Sequence, residues 1–283
     1  PKHSGGVWRV VFIISLIVFV CAAGALAFIG YGYWHGQQNN KQLEQIGFNA
    51  PDAAALQRMD LASFTVDWDA LRAINPDVVG WIYVPGTTVN FPIVHGTDDE
   101  HYLKTDFYGQ TSWVSFGSIF LSAANAADFS DANNIVYGHH LNDGSMFSPF
   151  ADFGDADTFN GHRTVYVFTP TANYQLTTFS IVHCAADDPL AQTAFASEQE
   201  RQAYVQDKVD RSEVSVAGLP SAADMKHTFA FSTCDNLASN GRWVLFAYES
   251  GSTAAASSAV ADDSSINPED VAAVSEAAKE TAA

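Results

Sequence analysis

Cationic side chains are scarce in this chain. Only 13 Lys and Arg stand against 32 Asp and Glu, which leaves a formal charge of −19 over 283 residues. Nucleic-acid binding needs Lys and Arg to neutralise phosphates, so the balance argues against that class of partner. Cysteine is scarce too. Cys21, Cys184 and Cys234 form no CxxC and no zinc spacing, so neither a disulfide framework nor a structural zinc site is expected. Cys21 falls in an apolar N-terminal run, where it reads as a helix residue; "VFV" before it lacks the small residues a lipid-anchor site wants. At most Cys184 remains to pair with Cys234. Histidines 139, 140, 162 and 183 lack an HExxH spacing, and no EF-hand loop appears, so no metal and no cofactor is expected.

What the chain does have begins at its N-terminus. From Val10 to Tyr33, "VVFIISLIVFVCAAGALAFIGYGY" runs 24 residues without a charge, enough to cross a hydrocarbon core of about 30 Å as a helix. Trp8, Tyr31, Tyr33 and Trp34 sit at its edges, where amphipathic rings favour the interface. Lys2 and Arg9 precede it, so the positive-inside bias places the N-terminus in the cytoplasm and everything after His35 outside. "ALA" at 25–27 offers a signal-peptidase alternative, but the apolar run continues well past it. The expectation is a single-pass protein of the cell membrane with its folded part extracellular: a stub and transmembrane helix over 1–36, a helical juxtamembrane segment over 37–75, a β domain over 76–250 and a disordered acidic, Ala/Ser-rich tail over 251–283.

The β domain is read from short apolar runs between turn formers. These are 78–85, 89–95, 117–122, 133–139, 164–169, 174–184, 227–234 and 242–249, punctuated by Pro85-Gly86, Asn142-Asp143-Gly144, Asn160-Gly161 and Asn240-Gly241. Eight strands at this spacing predict a mainly β fold, a closed barrel or sandwich. "DWDALRAINPD" predicts a helix capped by Asp67 and stopped at Asn75-Pro76. Capping boxes Thr97/Glu100 and Ser197/Glu200 open two more helices. The second lies in a long connection between the sixth and seventh strands, where such an insertion is more often functional than idle.

One stretch, "HTFAFSTCDNLASNGRWVLFAYES" (227–250), carries chemistry. If its two runs pair antiparallel about a loop centred on Ala238, Cys234 falls opposite Arg242 on one face, with Ser232 two residues back on the same face. A cation beside a thiol favours the nucleophilic thiolate. Arg is no base, but its N–H groups suit an oxyanion. A leaving amine still needs a proton, and histidine is the usual donor. His139, at the end of "NNIVYGH", sits where a rigid strand meets a loop and is preferred over His140, which would point the other way. Cys184 beside His183 mimics a dyad, but neighbours on a strand face opposite sides, so it reads as a buried structural thiol. Ser232 either supports the site or simply packs. Asp235 reads as a solvated loop residue, since its charge would oppose thiolate formation.

"YGHH" (137–140), "FSTC" (231–234) and Arg242 eight residues after the cysteine resemble the His–Cys–Arg set of sortases. "INPDVVGWIYVPGTTVNFPIVHGTDDEHYLKTDFYG" (74–109), "GSIFLS", "DGSMF" (143–147) and the helix between strands six and seven are similar to class B sortases, over about residues 66–250. Phe231 stands where a leucine is common, His139 is doubled by His140, and the acidic tail matches nothing in the family. The resemblance implies an eight-stranded sortase-type β-barrel with peripheral helices. It implies a cysteine transpeptidase of the Gram-positive cell surface, without cofactor. Cys234 would cleave a Thr-containing, NPxTx-like or LPxTG-like sorting signal of a surface or pilin protein through a thioester. Arg242 would stabilise the oxyanion, and His139 would serve as general acid and base. A peptidoglycan precursor or a pilin lysine would supply the accepting amine.

Two rivals remain at this point. An L,D-transpeptidase-like acyl-transferase would place its arginine closely after the cysteine, whereas here it lies on the next strand. A non-catalytic membrane-anchored β-barrel adhesin would not need Cys, His and Arg at one rim.

Overall fold

The computed structural model describes residues 5–48, 50–51, 56, 58, 60–111, 117–188, 192–237 and 240–255. They divide into two compact units between Lys41 and Gln42. The first holds helix α1 (Gly5–Gly47) up to Lys41, and the apolar stretch of that helix is exposed and long and apolar enough to cross a membrane.

The second unit is a closed eight-stranded barrel. Its strands are β1 (Val78–Tyr83), β2 (Asn90–His95), β3 (Ile119–Leu121), β4 (Asn133–Tyr137), β5 (Thr164–Phe168), β6 (Ala172–Ala185), β7 (Thr228–Cys234) and β8 (Gly241–Ala254). They are ordered β1-β2-β3-β4-β7-β8-β6-β5, and β5 closes back on β1. The pairs β2–β3 and β4–β7 are parallel and the others antiparallel. Closure leaves the sheet without an open edge.

Strict alternation divides each strand between two environments. The barrel interior takes apolar residues from all eight strands, among them Ile82, Ile93, Leu121, Val136, Val167, Ile181, Phe231 and Leu245. Two further clusters cover the outer face. One joins Leu43, Phe48, Phe64 and Leu71 to Trp81, Phe120 and Phe168. The other packs Tyr204 and Val205 on Ile135, Val182, Ala230, Val244 and Phe246.

Helices occupy the connections: α2 (Trp68–Ile74), α3 (His101–Lys104), α4 (Pro149–Asp152), α5 (Ala156–Gly161) and α6 (Glu198–Asp210). Asp67 caps α2 by accepting from Ala70 N at 2.9 Å, and Ser197 caps α6 by accepting from Glu200 N at 3.1 Å, both as the sequence predicts. The Thr97/Glu100 box is corrected. Asp98 Oδ1 takes the N–H groups of Glu100 and His101, each at 2.8 Å, because a carboxylate one residue nearer outcompetes the hydroxyl. β8 also runs beyond the expected boundary at 250. Gly251 to Ala254 pair with Ala172 to Gln175, an edge-to-edge match that the polar "GSTA" does not advertise. The rest of the proposed tail, from 256, lies outside the described residues.

Candidate active site

The outer face of β7 and its neighbours carries the candidate residues. Phe229 and Phe231 point into the barrel and Ala230 points out, so Ser232 and Cys234 share the outer face with Ala230. Cys234 pairs directly with Arg242 across β7–β8, the register expected from the loop centred on Ala238. On the other side of β8, Arg242 pairs with Cys184. The guanidinium therefore rises from a strand flanked by two thiols. Its Nη1 donates to Gly241 O at 2.9 Å and to Asn240 O at 3.2 Å, which ties the base of the side chain to the turn.

β4 runs parallel to β7, with Tyr137 opposite Ser232. Two residues further along each strand stand His139 and Cys234. The His139 ring is fixed by Nε2, which lies 2.7 Å from the carbonyl oxygen of Leu103 on α3. A carbonyl only accepts, so Nε2 carries a proton and Nδ1 is the basic nitrogen of the neutral ring. Gly117, at φ 50°, makes room: a Cβ there would lie 2.8 Å from His139 Nε2 and 2.7 Å from Tyr102 O. His139 and Cys234 are both half-buried.

The electrostatics of the face centre on Arg242. Burial raises the Tyr137 phenol above its ordinary value and Asp99 adds to that, while a hydrogen bond with Ser122 and the Arg242 charge pull it down. Burial, with help from Asp188, pushes the Cys184 thiol up to about 11 against the pull of Arg211, Lys208 and Arg242. Cys184 is thus held as a protonated thiol, its Sγ 3.7 Å from Arg242 O. As expected, it does not meet His183, which lies on the opposite face, stacked on Trp243 with ring centroids 4.4 Å apart. Ser232 is 4% exposed, under the site rather than open to it.

One reading is overturned. Asp235 is buried, not solvated: its Oδ2 lies 3.0 Å from His183 Nε2 and its Oδ1 accepts from Leu237 N at 2.9 Å. The residue after the cysteine turns inward, away from the thiol, and anchors the β7–β8 loop. Its partner is 52 residues away in the chain, so no local signal reveals the pair.

The long β6–β7 connection is pinned beside this face. Arg211 grips Asp188 with two bonds, at 2.6 and 3.3 Å. Arg201, 4% exposed, donates to the carbonyls of Ala222, Ala223 and Met225 while pairing with Glu198. Sequence reasoning marks this insertion as functional but does not identify these clamps, since each joins segments that only folding brings together.

A thiol opposite a guanidinium on the outer face of an eight-stranded barrel, with a histidine at the end of the neighbouring parallel strand, is the arrangement that the resemblance to sortases implies. No family model matches the chain. It is 28% identical over 218 residues to sortase B of Listeria monocytogenes, covering 75% of this chain and 86% of that protein. It is 29% identical over 169 residues to sortase B of Staphylococcus aureus, covering 60% and 68%. A Bacillus anthracis crystal structure described as similar to sortase B superposes with a TM-score of 0.65 at 28% identity, over 76% of this chain and 96% of that one. Sequence and fold both support a class B sortase, and a cysteine transpeptidase is the favoured activity. The L,D-transpeptidase-like and adhesin readings give way to it.

Proposed function

We propose that Cys234, His139 and Arg242 perform this transpeptidation, with Ser232 supporting the strand that carries the thiol. The observation that carries the reading is the pairing of Cys234 with Arg242 beside the parallel strand that ends at His139. The Cys234 thiolate attacks the carbonyl carbon of the threonine in a sorting signal, and the developing oxyanion takes hydrogen bonds from Arg242. The C–N bond breaks as His139 gives a proton to the departing amine, leaving a thioester on Cys234. An incoming amine then attacks the thioester, His139 takes up its proton, and the thiolate departs.

The donor is an exported surface or pilin protein with an NPxTx-like or LPxTG-like signal, and the acceptor is an amine of a peptidoglycan precursor or a pilin lysine. The apolar stretch of α1 anchors the enzyme as a single-pass protein with the catalytic part, from residue 76 onward, outside the cell, where such substrates emerge. Intact-mass analysis of the full chain in detergent, incubated with peptides of both signal types, tests this. An adduct equal to the peptide up to its threonine, cleared by an added amine and absent in Cys234→Ala, supports it. The same adduct on Cys234→Ala refutes it.

A further inference from the structure

His140, the neighbour of the candidate acid/base, is placed where a backbone group belongs. In a parallel ladder the pairing of Tyr137 with Ser232 calls for Gly138 N to donate to Ser232 O, which it does at 3.0 Å. The same pattern calls next for Cys234 N to donate to Gly138 O, and then for His140 N to donate to Cys234 O. The structure has the side chain there instead: His140 Nδ1 lies 2.9 Å from Cys234 O. The rung after that would be Asn236 N to His140 O. Again a side chain takes the place, with Asn236 Nδ2 donating to His140 O at 2.8 Å. The backbone of Asn236 sits at φ 56°, in the left-handed region, so it has already left the strand direction. β4 ends at Tyr137 as a regular strand, yet two further positions of the ladder are bridged by side chains.

We infer that His140 and Asn236 are positioning residues for the transpeptidation: they lengthen the β4–β7 ladder past its backbone limit and so hold His139 level with Cys234. This rests on the reading of Cys234 and His139 as the thiol and its acid/base. His139 itself is fixed on its far side by the Leu103 carbonyl. The loop that carries it is joined to the nucleophile's strand through His140. Since Cys234 O only accepts, Nδ1 of His140 must carry a proton, and an asparagine amide at the same place supplies an equivalent donor. Alanine supplies none.

The test uses the full chain in detergent with iodoacetamide as probe, so it needs no knowledge of the sorting signal. Labelling of Cys234 is read by peptide mass mapping from pH 5 to 9. In His140→Ala the rate at pH 7 is expected to fall about three- to tenfold, the factor commanded by one net hydrogen bond. His140→Asn should stay within about twofold of wild type, because the donor is kept. In a His139→Ala background, His140→Ala should add less than about twofold, because the two residues act through one device. Wild-type labelling in His140→Ala overturns the inference. So does a His140→Asn variant as slow as the alanine, or an equal drop with and without His139. If His139→Ala itself labels like wild type, the thiol–imidazole reading fails first, a result that cannot be confused with failure of the positioning role.

Discussion

Gly241 closes directly on Asp235 at the neck of the β7–β8 loop: a Cβ on the glycine would lie 2.3 Å from Asp235 Oδ2 and 2.9 Å from the Cys184 carbonyl. Neither neighbour can retreat freely, since the carboxylate is bonded to His183 and Leu237 N and the carbonyl lies in β6. Glycine is needed here for space, one residue before Arg242. Gly241→Ala should cost about 1–3 kcal/mol, the range for overpacking. Urea denaturation measures it. Asp235→Ala, which leaves the loop N–H of Leu237 without its acceptor, should cost a similar amount on its own, about 1–3 kcal/mol. The double variant should lose less than the sum, because removing the carboxylate relieves the clash. Strict additivity would disprove the contact.

The two thiols on the barrel's outer face should separate by pH. With Cys184 pushed up to about 11 by burial and Asp188, its thiolate fraction grows roughly tenfold for each pH unit between 8 and 10. Its iodoacetamide labelling should climb with the same slope and remain slow near neutrality. Cys184 is half-buried rather than buried as the sequence suggests, and rapid labelling at pH 7 would contradict its uncharged state.

Arg201 should prove structural and selective at once. Replacing it by Met removes the donor to three carbonyls between 222 and 225, and one orphaned buried acceptor alone costs about 1–3 kcal/mol. Faster proteolysis within 215–227 and a higher KM for the sorting peptide are expected. The Arg201 hydrogen bond, aided by Gln202, holds the Glu198 carboxyl down at about 2. A depressed acid contributes above its unfolded value near 4.5 and loses that contribution as pH falls toward 2. The difference in Tm between Arg201→Met and wild type should therefore narrow below about pH 4.

Arg242→Lys keeps the charge but loses the planar fork. If the guanidinium meets the oxyanion, kcat should fall about a hundred- to a thousandfold with KM little changed. Steady-state kinetics with the peptide identified by the mass assay decides this. A loss confined to KM would assign Arg242 to substrate binding instead.

The parts of this architecture that could be read from sequence are local. Eight short apolar runs between turn formers imply strands, and turn residues such as Gly86 and Gly144, at φ 80° and 78°, sit where the punctuation placed them. The pairing of Cys234 with Arg242 was legible because a hairpin's register follows from the length of its own loop. The cap at Asp98 was misread for a local reason as well, since several side chains compete for the same N–H groups and the letters do not rank them. The inward turn of Asp235 was illegible for a different reason. A carboxylate beside a thiol reads as solvated unless a distant partner is known, and His183 arrives on another strand.

By itself the sequence determined the class of the fold, the apolar N-terminal helix and the thiol–guanidinium pair, because periodicity, length and hairpin register act over short stretches of chain. Only the tertiary structure decided what His140 and Asn236 bond to, where the β6–β7 connection is clamped and how far β8 runs. Those depend on groups from about 20 to 100 residues apart meeting in a closed barrel, and barrel closure is a property of all eight strands together.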